Sequence, residues 1–235
     1  MLRHRGSAVR CPVCGHGFDA FAPAWNRPAA LCWRCGSHER HRAQWLLLPP
    51  LLRGRRALLH FAPEYCLRRV LRAAARREGF RYDTADLDPA GVDMQLDITR
   101  MPLPDAAYDA VICSHVLEHV GDDDAAMREL RRITAPGGWC LVMVPLDTAR
   151  ATTYEDASIV APEARRAAFL QDDHVRLYGR DVEDRLRDAG FDVEVLRPRD
   201  AFGEPELRRA GLLAGDWMYV CRRRAENVTR DTRVA

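Results

Sequence analysis

From Ala57 onward the chain alternates short apolar runs with helical patterns, and this alternation restricts its fold more than any other feature. Strand-like runs stand at ALLHF (57–61), RYDTAD (81–86), VDMQLD (92–97), YDAVICS (108–114) and WCLVMV (139–144), with helical periodicity over 64–77, 122–134 and 179–189. Strands that alternate with helices build a doubly wound α/β sheet, whose ligands bind beyond the carboxyl ends of its strands. The runs DVEVLR (192–197) and DWMYVCR (216–222) follow the final helix and are expected to form a hairpin on the sheet edge. The main domain is therefore expected over 56–222, with 223–235 as a disordered tail.

At 235 residues and 47% hydrophobic, the chain has material for one full α/β core and a small satellite module. MLRHRGSAVR has no apolar run, and Pro49 and Pro50 interrupt WLLLPPLL, so neither a targeting segment nor a membrane span is expected. The expectation is a soluble, cytoplasmic protein. All 36 basic residues are arginine, as in GC-rich coding, so their number says little about partners. Their distribution says more. Residues 1–56 carry ten arginines against Asp19 and Glu39, net +8, and the remainder carries 26 against 32 acids, net −6. A front module this basic attracts phosphate or another acidic partner, unless it is simply a solvated arginine face.

That module, residues 1–37, contains CPVC (11–14) and CWRC (32–35), two C-x2-C pairs separated by seventeen residues. This spacing points to a structural four-thiolate zinc site on Cys11, Cys14, Cys32 and Cys35, with a glycine after Cys14 and after Cys35 to relax each knuckle. Free thiols or two disulfides are the alternative. His16, His38 and His41 are read as surface residues, because four cysteines already complete a tetrahedral shell. From Ser37 a helical run extends to about Leu48, where the two prolines should stop it. Residues 38–55 are thus a linker, with Trp45, Leu46 and Leu48 as its packing face.

Polar residues gather at the carboxyl ends of the main-domain strands. His60, Asp86, Asp97 and the pair Ser114 and His115 each end a different strand-like run, so a parallel sheet brings them to one edge. An acid after the second strand suits the two hydroxyls of a ribose, and Asp86 is placed for that, with Asp88 as its rival. Taken singly, each acid could be a turn former.

The segment LDITRMPLPDAAYDAVICSHVLEHVGDDDAAMRELRRITAPGGWCLVMVP (96–145) closely resembles the third-to-fifth-strand block of class I S-adenosylmethionine-dependent methyltransferases of the type-11 kind. The resemblance extends over about 57–197. It implies a Rossmann-like, seven-stranded sheet with the last strand antiparallel. It carries Asp86, beside Leu87, to the cofactor's ribose and Asp97, beside Ile98, to the adenine amino group. Ser114 and His115 fall at the wall beside the methionine portion. The family's first turn reads acid-x-Gly-x-Gly, whereas HFAPE stands here: His60 and Phe61 precede Ala62, and Ala62 and Glu64 occupy the glycine positions. Ala62 is small, and the helix starting near Glu64 offers unpaired N–H groups to a carboxylate, so the turn is still expected to receive the cofactor. The same Ala-Pro-Glu turn, behind a four-cysteine ribbon and before TYED and DHVRLYG, is similar to that of a widespread bacterial methyltransferase subfamily.

An insert at 146–178 is too long for a plain connection and reads as a lid or acceptor-binding loop. If the acceptor must lose a proton, His174 on the insert is the first choice of base and His115 the second, with Tyr154 in a supporting place. His174 could instead pin the insert through Asp172 or Asp173. His115 and His119 could be packing polar groups, and Glu118 an orienting or capping one. Cys66, Cys113, Cys140 and Cys221 sit in apolar patterns and read as buried, inert thiols. The expected function is methyl transfer to a hydroxyl, carboxylate or amine of a small molecule, sugar or peptide. The second reading is ribosomal RNA base methylation with the ribbon holding RNA, although the ribbon lacks a clear aromatic series. The third is a non-catalytic zinc-ribbon binding protein with a degenerate methyltransferase domain.

Overall fold

The computed structural model describes residues 4–25 and 27–225. The front module comprises two short antiparallel pairs, β1 (Arg5–Arg10) with β2 (Gly17–Phe18) and β3 (Ala22–Ala24) with β4 (Arg27–Leu31), followed by helix α1 (Glu39–Leu52). The main domain then runs β5 (Ala57–Phe61), α2 (Tyr65–Glu78), β6 (Arg81–Asp86), β7 (Met94–Gln95), β8 (Tyr108–Ser114), α3 (Asp123–Ile133) and β9 (Thr134–Met143). The insert contributes β10 (Tyr154–Glu155), α4 (Pro162–Phe169) and β11 (Arg176–Leu177), and the chain continues with α5 (Val182–Asp188), β12 (Asp192–Leu196), α6 (Pro198–Ala210) and β13 (Met218–Arg222).

The sheet has seven strands in the order β7-β6-β5-β8-β9-β13-β12. β5 pairs in parallel with β6 and β8, β6 with β7, and β8 with β9, while β13 is antiparallel to both neighbours. The last strand is thus the reversed one, and the chain order turns back between β5 and β8, where an open sheet of this kind opens a crevice. β5 and β8 bury nearly every residue because both their faces are covered. β7, expected over 92–97, pairs only at Met94 and Gln95, because it is an edge strand and the Asp93 carboxylate is committed to the Thr84 amide and hydroxyl at 2.9 and 2.7 Å. The expected β12–β13 hairpin has a thirteen-residue helix, α6, in its connection. Pro198, Pro205 and a kink at Gly203 (φ 74°) hide that helix from periodicity.

The linker helix does not stop at Leu48. α1 continues through Pro49 and Pro50, which lie exposed in its last turns and give up bonds there, while Leu48 and Leu52 four residues apart bury completely or nearly so. Packing outweighs two lost hydrogen bonds at a helix end. The helix also carries the joint between the modules. Arg42, fully buried, donates to the carbonyls of Ala30 (2.9 Å), Ser37 (2.7 Å), Ala210 (2.6 Å) and Gly211 (2.7 Å), and its guanidinium lies 3.9 Å from the Phe21 ring centre. Its charge is met by four carbonyl dipoles gathered from β4, the second knuckle and the end of α6. Ribbon residues Val13, Phe18 and Phe21 share one apolar cluster with Leu58, Leu67 and Leu207, so the ribbon is built into the main core.

The insert is tied down by Arg176. Buried, this residue donates to the carbonyls of Leu117 (2.9 Å), Val120 and Gly121 (2.9 Å) in the turn after β8, and to Glu155 Oε2 (3.0 Å) on β10. At the carboxyl end, Arg223 pairs with Gly137 and Gly138 by backbone bonds and Arg224 with Asp192. The tail expected to be disordered from Arg223 is therefore held at its first residues, and 226–235 lie outside the described part. Among the described residues, no helix is long and apolar enough to cross a membrane.

Candidate functional site

At the carboxyl edge of β5, β6 and β8 lies a cavity of about 620 Å³, within the range of cofactor sites. Phe61 and Ala62 from the first turn, Asp86 and Leu87 from the second, Leu96, Asp97, Ile98 and Thr99 after β7, and His115, Val116, His119, Val120, Gly121 and Asp122 after β8 line it. Seven sequence-chosen residues meet here: Phe61, Ala62, Asp86, Leu87, Asp97, Ile98 and His115.

The first turn keeps a glycine's shape without a glycine. Ala62 sits at φ 44°, in the left-handed region, and its amide donates to the Ala85 carbonyl at 2.8 Å. An L residue there is strained by roughly 1–2 kcal/mol, a cost that packing of the turn onto β6 offsets. Helix α2 follows with Glu64 as a side-chain-free N-cap, so the opening amides of the helix face the turn. His115 repeats the device at the end of β8, with φ 54°.

The two carboxylates differ in setting. Asp86 Oδ1 accepts from the Asp88 amide at 3.2 Å; Asp88 in turn caps Ala90 at 2.9 Å and does not line the cavity. Asp97 Oδ1 accepts from the Thr99 hydroxyl (2.7 Å) and amide (2.9 Å), which hold its carboxyl below the usual range.

His60, Glu64 and Ser114 stand behind the cavity wall. His60, fully buried, hydrogen-bonds through Nδ1 to the Tyr82 hydroxyl at 2.9 Å, and its Nε2 is 3.7 Å from Glu64 Oε2. Glu64 Oε1 pairs with His41 Nε2 at 2.9 Å. Burial alone would raise the Glu64 carboxyl, but His41 and His60 outweigh it and hold it well below the ordinary range. Ser114 Oγ accepts from Gln44 Nε2 at 3.0 Å. His41 is thus not a surface residue: it is 3% exposed and, with Gln44, brings α1 against the first turn. Gln44 Oε1 and Glu64 Oε2 are buried acceptors without hydrogen-bond partners among the described residues. No periodicity or motif marked Gln44 or Arg42, because their roles depend on which helix face meets the sheet.

The acceptor-side expectations divide. His115 lines the cavity, and its Nδ1 donates to Glu118 Oε1 at 3.1 Å. His119, read as packing, lines the cavity with a 35% exposed side chain. The first-choice base, His174, lies outside the lining. It is 1% exposed, donates from Nδ1 to the Phe169 carbonyl at 2.9 Å and packs edge-on to His119 at 4.7 Å. Asp172 pairs with Arg166 and Asp173 with His119, so neither of them orients His174. Tyr154 also stays outside, its ring against Phe169 at 5.5 Å and under the Arg150 guanidinium. Cys66, Cys113, Cys140 and Cys221 are buried, and burial raises all four thiols above their ordinary range, to about 12 for Cys66.

In the ribbon the two knuckles repeat one geometry. Gly15 N donates to the Cys11 carbonyl (2.8 Å) and Gly36 N to that of Cys32 (3.0 Å), and both glycines have φ near +70°. The four sulfurs lie within 4.8 Å of one another, with Cys11 3.7 Å from Cys35 and Cys14 3.6 Å from Cys32. Such a cluster has the ligand number and softness to hold a tetrahedral zinc ion.

Sheet order, reversed last strand and paired acids at the switch point define the class I S-adenosylmethionine-dependent methyltransferase fold. The methyltransferase-domain family model matches residues 58–196, and the chain belongs to that family. A demethylmenaquinone methyltransferase of Mycolicibacterium vanbaalenii is 30% identical over 122 residues, 51% of this chain and 52% of the relative. The chain thus spans about half the length of the curated relative it matches. Among solved structures, an S-adenosylmethionine-dependent methyltransferase from Archaeoglobus fulgidus aligns over 76% of this chain and 91% of its own, with 14% identity and a TM-score of 0.51. The [4+2]-cyclase SpnF aligns over 88% and 86%, with 17% identity and a TM-score of 0.52. At such identities these two establish likeness of fold alone.

Proposed function

We propose that the protein transfers a methyl group from S-adenosylmethionine to a hydroxyl, carboxylate or amine of a small molecule, sugar or peptide. The observation that carries this reading is the convergence of Asp86 and Asp97 on one cavity at the switch point of the sheet. The residues present fit the cofactor. Asp86 would accept from the ribose hydroxyls and Asp97 from the adenine amino group, with Leu87 and Ile98 lining the same cavity. Ala62 and the amides opening α2 take the carboxylate. Bound there, S-adenosylmethionine supplies an electrophilic methyl on a sulfonium.

His115 is the residue best placed to take a proton from the acceptor. Its Nδ1–H is fixed by Glu118, which leaves Nε2 as the basic atom on a residue that lines the cavity. His174 acts behind it, holding the insert against His119. The insert, expected to be a lid or acceptor-binding loop, contributes no residue to the cavity lining and instead packs behind the turn that carries His115 and His119, through which it steadies the acceptor end. The four ribbon thiolates hold a structural zinc.

RNA as acceptor is a second reading, supported by one feature of the ribbon. Trp25 is 83% exposed with the Arg27 guanidinium 5.6 Å from its ring, on a module of net +8. Calorimetric titration with S-adenosylmethionine tests the core of the proposal, and a methyl-labelled cofactor offered small-molecule, peptide and RNA fractions tests the acceptor. Label entering the small-molecule or peptide fraction is the expected result. Label in RNA selects the second reading, and absence of cofactor binding returns the chain to the class of zinc-ribbon binding proteins without catalysis.

A further inference from the structure

The turn after β8 and the insert meet in a group of three side chains whose free donor atoms the methyl-transfer reading leaves unused. Glu118 and His119 come from the one-turn 3-10 helix Leu117–His119, and His174 from the stretch between α4 and β11. One donor atom from each lies within 4.8 Å of the other two. Glu118 and His174 are each 1% exposed, yet Glu118 Oε2 and His174 Nε2 have no hydrogen-bond partner among the described residues. Two such atoms in one buried place are costly unless something unshown satisfies both.

The surrounding bonds say what that is. His174 Nδ1–H is fixed by the Phe169 carbonyl at 2.9 Å, and His119 Nδ1 faces Asp173 Oδ2 at 3.3 Å. His174 is thereby held with Nε2 as its remaining lone-pair nitrogen, the arrangement in which a carbonyl orients a metal-binding imidazole, and the Asp173 carboxylate beside His119 Nδ1 favours the same tautomer there. Glu118 has Oε1 committed to His115 Nδ1 and only Oε2 left over. The group thus offers two imidazole nitrogens and one carboxylate oxygen, each backed by a partner of its own.

We propose that Glu118, His119 and His174 bind a divalent metal ion of the zinc type, which pins the insert to the turn after β8. Two nitrogens and one oxygen suit zinc, and equally cobalt as its spectroscopic substitute. Ligands of a tetrahedral ion lie about 3.3 Å apart and the three donor atoms here lie within 4.8 Å of one another, so the site has to draw in, and the exposed His119 has the room to do so. Three protein ligands leave a coordination position for water or an acceptor oxygen, and His119 also lines the cavity. This site is separate from the ribbon thiolates and does not rest on the methyl-transfer reading.

The test uses the full chain and Co²⁺ or Zn²⁺ alone. Cobalt in the ribbon gives intense thiolate charge-transfer bands; cobalt on nitrogen and oxygen gives weak ligand-field bands without them. Elemental analysis after zinc saturation and dialysis is expected to find two equivalents in the native protein and one in His119→Ala and Glu118→Gln, each weakening the non-thiolate equivalent by about 10²-fold or more. The thermal midpoint should rise on saturating the second equivalent in the native protein and stay unchanged in His119→Ala. His119 is exposed, so that variant decides the matter even if Glu118→Gln unfolds. A native protein that binds metal only with thiolate bands, or a second equivalent that survives His119→Ala undiminished, overturns the proposal.

Discussion

Replacing Asp86 with alanine tests the ribose contact proposed for it. The side chain sits at the end of β6 where the strand is already secured through its main chain, since Leu96 N donates to the Asp86 carbonyl at 2.9 Å. Truncation therefore removes the carboxylate and leaves the strand. The carboxylate's one bond among the described residues, the 3.2 Å contact from the Asp88 amide, is long, so most of its accepting capacity is left for a ligand. Two ribose hydroxyls would give it two charge-assisted bonds. Water re-solvates those hydroxyls in the half-open variant, so the net loss is that of about one such bond, roughly 1.5–3 kcal/mol. That is about a 10- to 150-fold weaker dissociation constant. Asp88→Ala, which loses only the cap on Ala90 at 2.9 Å, should change affinity about twofold or less. Calorimetric titration of S-adenosylmethionine into both variants separates them. Equal binding by Asp86→Ala and the native protein would refute the ribose assignment, and a loss confined to Asp88→Ala would show the turn to be misread by two residues.

Other expectations are equally direct. Ala62→Gly relieves the left-handed strain at φ 44° and should raise stability by about 0.5–1 kcal/mol with cofactor affinity retained, read by urea unfolding and titration. Arg42→Met removes the guanidinium bonds to four carbonyls, of which that of Ser37 keeps the Cys32 amide, and should lower stability by about 3–5 kcal/mol; a loss under about 1 kcal/mol would mean that Arg42 does not join ribbon to domain. Chelation of the zinc proposed for the ribbon should make Cys11, Cys14, Cys32 and Cys35 modifiable by a thiol reagent while Cys113, Cys140 and Cys221 stay protected by complete burial. His115→Ala should bind S-adenosylmethionine nearly normally but lose methyl transfer by about 10²-fold, and unchanged turnover would remove His115 from proton transfer.

Strand identity was written in the sequence because it is local. Apolar runs such as ALLHF and YDAVICS are buried on both faces of the sheet, and only apolar side chains allow that. The residues ending those runs follow from the same logic: once strands are parallel, Asp86, Asp97 and His115 must share an edge. The cysteine spacing carried the ribbon site because a knuckle is a few residues long. Other features depend on which surfaces meet. α6 was hidden by Pro198, Gly203 and Pro205, and it exists because Leu207 and Ala210 find the ribbon and α1 to cover them. α1 passes its two prolines because Leu48 and Leu52 bury against the sheet domain. Arg42, His41 and Gln44 look like any polar residues of a basic helix, and only docking of that helix turns them inward, where Arg42 gathers carbonyls 168 and 169 residues away. The placement of His115 and His119 on the cavity and of His174 behind them was decided in the same way. Sequence places two of them on one turn and the third on the insert, and the clamp of Arg176 onto that turn brings the third behind the others. Local preference fixes what each segment is, but exposure and partnership of a side chain are set by contacts between segments far apart in the chain, and only the folded arrangement supplies those.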